Sequence, residues 1–152
     1  MKTKRQRRRE GDVVKISLGE GLHSYARVLP HAVLAFYDCF THEELPLDRI
    51  LSCPVLFKVP VMDSAVKSGR WPVVGSAPLE PELLKPPAYF MQDALHPDRF
   101  SISVDGVERP ATREEAHGLE RLAGWSAEHI EDRLRDAHAG RPNKWVESLR
   151  LR

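Results

Sequence analysis

Cysteine is scarce in this chain, long apolar runs are missing, and no familiar catalytic motif occurs. Cys39 and Cys53 are the only cysteines among 152 residues, which excludes a disulfide-stapled scaffold and favours two reduced, mostly buried thiols. Their apolar, strand-like surroundings would raise a thiol pKa and leave neither as a nucleophile. No apolar stretch approaches the ~18–20 residues that a membrane-spanning helix needs. The start, MKTKRQRRRE, leads straight into a strand pattern instead of an apolar signal segment, so a cytoplasmic protein with no membrane association is expected. Phosphate loops, dinucleotide-binding glycine patterns, paired-cysteine metal motifs and nucleophile elbows are all lacking. Seven histidines are present, but His117, His129 and His138 do not share a face and no HExxH pattern occurs, so neither a metal nor a cofactor is expected.

No acidic residue precedes Glu10, whereas Lys2, Lys4, Arg5, Arg7, Arg8 and Arg9 do. Those six belong to the 23 basic residues of the chain; the 17 that remain face all 22 acidic ones, so a net charge of +1 divides into a basic start and a body of −5. Residues 1–10 are therefore expected to form a basic flexible tail and residues 11–152 a single domain. Such a tail binds nucleic acid weakly at most, because no aromatic residue interleaves with it as a stacking platform.

The remaining residues spell an α+β fold. Alternating apolar positions from Val14 to Leu18, followed by Gly19 and Gly21, predict a hairpin with one buried face. Residues 33–39 (VLAFYDC) predict a third strand. The runs PVLFKVPVM (54–62) and RWPVVG (70–75) predict two more, with Pro60 and Pro72 pointing to edge positions and Trp71 and Val73 sharing a face. Residues 63–69 between them read as a loop or one helical turn. Pro78, Pro81, Pro86, Pro87 and Pro97 make residues 76–98 read as a surface crossover. Phe100, Ile102 and Val104 alternate before Asp105-Gly106, a type I′ hairpin signal.

Thr112 and Glu115 form a capping-box pattern for a helix carrying Ala116, Leu119, Leu122 and Ala123 on one stripe and ending at Gly124. Ser126 caps a second helix, with Ile130, Leu134 and Ala137 on its buried side and Gly140 and Pro142 beyond its end. KWVESLRLR closes as a last strand or a docked tail. The expected architecture is a bent antiparallel sheet or small, partly open barrel, then two C-terminal helices and a short terminal strand or tail.

Two surfaces stand out. Glu128, Glu131, Asp132 and Asp136 project from the second helix, either as a solvated face with an Arg135–Glu131 pair at i,i+4 spacing or as an acidic patch that steers a basic partner. Tyr25, Arg27, Arg70 and Trp71 form a second set of residue types enriched at interface hot spots. For these, Trp71 also fits a core position, and Arg27 and Arg70 also fit ion pairs with Asp38 or Asp63.

Taken in order, GDVVKISLGEGLHSYARVL, AFYDC, PVLFKVPVM, GRWPVVG followed by PLE, and the closing AGRPNKWVESLRLR resemble the immunity protein 26 family of bacterial polymorphic toxin systems, over about residues 11–151. The chain departs from the family pattern at Ala26, where a glycine often stands, and at Pro72, where a nonproline residue follows the tryptophan. The resemblance implies a cytoplasmic, noncatalytic protein that neutralises a cognate toxin, often a nuclease or another intracellularly acting enzyme, by binding it. It carries over no catalytic residue, so Glu128, Glu131, Asp132, Asp136, Tyr25, Arg27, Arg70 and Trp71 stand as candidate toxin contacts. The alternative is a small β-barrel-like nucleic-acid or peptide-binding module anchored by the basic tail.

Overall fold

In the computed structural model, which describes residues 4–152, the first alternating run becomes strand β1 (Asp12–Gly19) and turns back as β2 (Leu22–Val28). Gly19, Glu20 and Gly21 all take positive φ, which explains the two glycines: only they adopt that backbone without a steric cost. Strand β3 (Val33–Tyr37) follows, then helix α1 (Leu47–Leu51), β4 (Val55–Pro60), a one-turn helix α2 (Ser64–Lys67) and β5 (Val73–Ser76). These strands form an open antiparallel sheet in the order β4-β3-β2-β1-β5. Both edges carry their proline at a harmless place: Pro60 ends β4, and Pro72 lies just before β5.

Both faces of this sheet are covered, which the expectation of one buried face did not include. Val14, Ile16, Leu18, Ala26, Val28, Leu34 and Phe36 point into the main core. On the other face Val13, Tyr25 and Tyr37 pack with Cys39 and Ile50. Ala26, one of the departures from the family pattern, is fully buried opposite Phe36.

A second sheet uses the proline-rich region. Helix α3 (Pro81–Leu84) leads to β6 (Ala88–Gln92), and the hairpin of β7 (Phe100–Val104) and β8 (Val107–Ala111) forms around Asp105-Gly106. Residues 76–98 are thus more than a surface crossover, because Tyr89 and Phe90 of β6 are buried. Pro86 and Pro87 precede the strand and Pro97 follows it, so no ladder amide is lost.

The helix expected from Thr112 to Gly124 is only α4 (Arg113–Ala116). Its capping box forms: Glu115 N–H donates to the Thr112 hydroxyl and Thr112 N–H to the Glu115 carboxylate, both at 3.1 Å. Gly118 then takes φ +90°, and Glu120–Arg121 become β9, a short strand parallel to β6. The second sheet therefore runs β8-β7-β6-β9. Pairing with β6 replaces the helical hydrogen bonds, and Leu122, expected on the buried stripe, is left exposed.

Helix α5 (Ala127–Ala139) starts at its Ser126 cap and ends at left-handed Gly140. Ala127, Ile130 and Leu134 are buried, whereas Ala137 is exposed. Ile130 and Leu134 are fully covered, each stabilising the helix by about 1.5–3 kcal/mol against the sheet. The end of the chain is a docked helix, α6 (Lys144–Ser148), capped by the Asn143 carboxamide oxygen, which accepts from Trp145 N–H and Val146 N–H.

Of the residues read as a basic tail, Met1–Thr3 lie outside the described residues. Lys4–Glu10 run along α2 and the approach to β5, tied there by Gln6 and Arg8.

Candidate functional site

The two surfaces singled out in the sequence partly merge into one. Arg70 and Trp71 sit between α2 and β5 and meet α5 at Glu131. Glu131 accepts a bidentate pair from Arg70, Nε to Oε2 and Nη2 to Oε1, each at 2.8 Å. Its Oε2 also accepts from the Trp71 indole N–H at 2.9 Å. Trp71 is fully buried and packs edge-on against Phe36. The third arm of Arg70 reaches Glu128 at 3.0 Å.

Glu131 is itself 7% exposed. Burial pushes its carboxyl up, but hydrogen bonds from Arg70 and Trp71 and the charges of Arg70 and Arg135 outweigh burial and hold it below the ordinary carboxylate range. Arg70 is raised in turn, first by its hydrogen bond to Glu131. The expected Arg135–Glu131 pair exists at 3.9 Å, yet Arg70 is the main partner. Neither Asp38 nor Asp63 pairs with Arg70; Asp63 is held by Arg8 and Lys67.

The other acidic residues of α5 are also matched. Asp132 accepts from Arg135 at 3.0 Å and from the Trp145 indole at 3.2 Å. Asp136 accepts from Asn143 and Arg141. Arg135 additionally donates to the Leu18 carbonyl at 2.8 Å, locking α5 onto the end of β1. What reaches solvent is a mixed-charge stripe, with side-chain exposures of 64% for Glu128, 44% for Asp132, 42% for Arg70 and 41% for Arg135.

Tyr25 and Arg27 are not part of it. They lie on the opposite face of the first sheet and are buried. Arg27 is 0% exposed; it donates to the carbonyls of Gly11, Ala77 and Pro78, to the Tyr37 hydroxyl and to Glu80. It clamps the start of the proline-rich region to β1 and β2. The Tyr25 hydroxyl meets His23 Nε2 at 3.0 Å.

A feature absent from the sequence reading lies between the two sheets. Leu29, Val33, Pro60, Leu83, Tyr89 and Leu122 line an apolar groove of about 180 Å³. His31 and Asp105, also on its lining, pair at 2.9 Å. His31 and Ala32 take positive φ in the tight turn from β2 to β3, where Val33 N–H donates to the Pro30 carbonyl, and Asp105 does so in the turn between β7 and β8.

Chemistry is poorly served elsewhere. Burial, followed by contact with Cys53, pushes the Cys39 thiol up to about 12, so it is not poised as a nucleophile. Among the described residues, no three His, Cys, Asp or Glu side chains are grouped to hold a metal ion, and no helix is long and apolar enough to cross a membrane.

The family model described as Immunity protein 26 matches residues 9–101. The chain belongs to the immunity protein 26 family. Its family role is that of an immunity protein in toxin systems, which implies a cognate toxin as partner and a noncatalytic role. No curated protein and no solved structure matches the chain. The matched region ends within β7, so this immunity protein carries Arg70 and Trp71 inside it and Glu128, Glu131, Asp132 and Asp136 beyond it. The closing segment AGRPNKWVESLRLR likewise falls outside the match.

Proposed function

We propose that this immunity protein neutralises its cognate toxin by direct, reversible binding, and that the stripe formed by α5 and Arg70 meets the toxin. The Arg70–Glu131–Trp71 network carries this reading. It fixes an exposed guanidinium and the carboxylates beside it before any partner arrives, so little side-chain entropy is lost on contact. Arg70, Glu128 and Asp132 are the direct contacts, Glu131 and Trp71 hold Arg70 in place, and Asp136 orients the α5–α6 junction. Tyr25 and Arg27 act from the other face by fixing the sheet. An inhibitory complex of ordinary size buries about 1,200–2,000 Å² in total, for which the open sheet with α5 on one face offers a rigid platform.

The body, at −5 for residues 10–152, is charge-complementary to a basic toxin such as one that acts on nucleic acid. Coexpression of this chain with its cognate toxin tests the reading. The expected result is restored growth and copurification, both weakened by Glu128→Lys combined with Asp132→Lys. Failure of the unaltered chain to rescue or to copurify would reject it.

A further inference from the structure

We propose that Lys4–Arg9 is a pinned cationic rail that binds the phosphate backbone of nucleic acid. Arg5, Arg7 and Arg9 are exposed and alternate with the less exposed Gln6 and Arg8, as in an extended segment with one face down. The inward residues do the anchoring. Gln6 donates from its backbone N–H to the Lys67 carbonyl at 3.0 Å and from Nε2 to the carbonyls of Val66 and Trp71 at 2.9 and 2.6 Å, while its Oε1 accepts from Val73 N–H at 3.1 Å. Arg8 Nη1 donates to the Val61 carbonyl and to Asp63, both at 3.0 Å. Gly69, at φ +83°, makes room for the segment: a Cβ there would fall 2.0 Å from the Lys4 carbonyl oxygen. The far end is fixed by Gly11 N–H on the Val28 carbonyl at 2.8 Å.

The outward cations are uncompensated. Among the described residues, no carboxylate pairs with Lys4, Arg5, Arg7 or Arg9. In a chain whose remainder is net acidic, four unpaired cations on one short, anchored ridge make a local field that favours a polyanion. Arginine also occurs at protein interfaces, but there it works beside buried aromatic or apolar anchors; residues 4–9 contain no apolar side chain. Guanidinium forks suit phosphate oxygens, and the lack of an aromatic platform makes the binding indifferent to sequence. Because the segment is already ordered by Gln6 and Arg8, it does not have to be ordered by the ligand.

The full chain is titrated into a fluorescently labelled, mixed-sequence single strand of about 20 nucleotides, and anisotropy is read over a salt series. Four neutralised phosphates give a slope of log K against log salt of about −3. Arg5→Gln with Arg7→Gln and Arg9→Gln should flatten the slope to about −1 and weaken binding at low salt at least tenfold. Gln6→Ala keeps every charge but releases the anchor, so it should weaken binding severalfold with the slope unchanged; circular dichroism verifies that each variant is folded. The proposal fails if the unaltered chain does not bind at low salt, if the triple variant binds as tightly as the parent, or if Gln6→Ala binds equally well. Displacement of the probe by polyglutamate as readily as by unlabelled nucleic acid would instead make the rail protein-facing. No toxin is present, so the result leaves the toxin-binding reading untouched.

Discussion

Glu131→Ala is the substitution for which the structure gives the clearest magnitude. It removes the acceptor of the Trp71 indole, a donor with no access to water. An orphaned buried N–H costs about 1–3 kcal/mol. Arg70 also loses its bidentate partner, but its side chain is 42% exposed and recovers hydration, so that part is at most about 1 kcal/mol. The expected loss is about 1–4 kcal/mol in urea unfolding followed by far-UV circular dichroism.

Trp71→Phe provides the control. In that background no indole N–H is left unpaired, and Glu131→Ala should cost only about 1 kcal/mol, giving a coupling of about 1–3 kcal/mol in the double-mutant cycle. The pH dependence has a definite sign as well. Because the folded carboxyl of Glu131 sits below its ordinary value, its contribution is fully present above the unfolded pKa and is lost as pH falls through the folded one. The difference between parent and Glu131→Gln should therefore shrink below about pH 4. A coupling near zero, or a difference that grows on acidification, would refute the account of this network.

Other consequences follow from single residues. Arg27→Ala removes a fully buried guanidinium together with its hydrogen bonds to three backbone carbonyls and the Tyr37 hydroxyl, so a loss of about 2–4 kcal/mol is expected in thermal or urea unfolding. Arg27→Lys, a point charge in place of a fork, should recover less than half of it. With Ellman's reagent at pH 8, half-buried Cys53 should react first and buried Cys39 only after unfolding; fewer than two thiols in the denatured chain would contradict the reduced assignment. Gly69→Ala drives a Cβ into the Lys4 carbonyl, so trypsin should cut after Arg5 and Arg7 several times faster in that variant than in the parent.

The sheet elements were the most legible from the sequence. Period-2 alternation around Ile16 and Ile102, glycines at positive φ and the Asp105-Gly106 pair are local signals, and local sterics decide them. Ser126 and Gly140 marked the bounds of α5 for the same reason. The failures came where a distant partner decided the outcome. The Thr112–Gly124 pattern satisfied helical spacing, but Gly118 broke the turn and the edge of β6 captured Glu120 and Arg121. The prolines around β6 suggested irregular chain because their exact positions, outside the ladder, matter more than their density.

At the candidate surface the sequence supplied the residues without their geometry. Glu131 and Arg70 are 61 positions apart, and no periodicity announces such a pair. Tyr25 and Arg27 differ by two residues and so had to share a strand face, yet which face they share depends on the packing of α1 and α5. The groove bounded by His31 and Asp105 had no local signature, since it forms only where the β2–β3 turn meets the β7–β8 turn.

The central claim is that this protein acts by occupying the toxin's surface, and a titration of toxin activity against added immunity protein tests it most directly. The account predicts that activity falls linearly to an end point at one immunity protein per toxin, and that it returns when the complex is dissociated. Complete loss of toxin activity at a small fraction of an equivalent, persisting after separation, would show turnover and contradict the account.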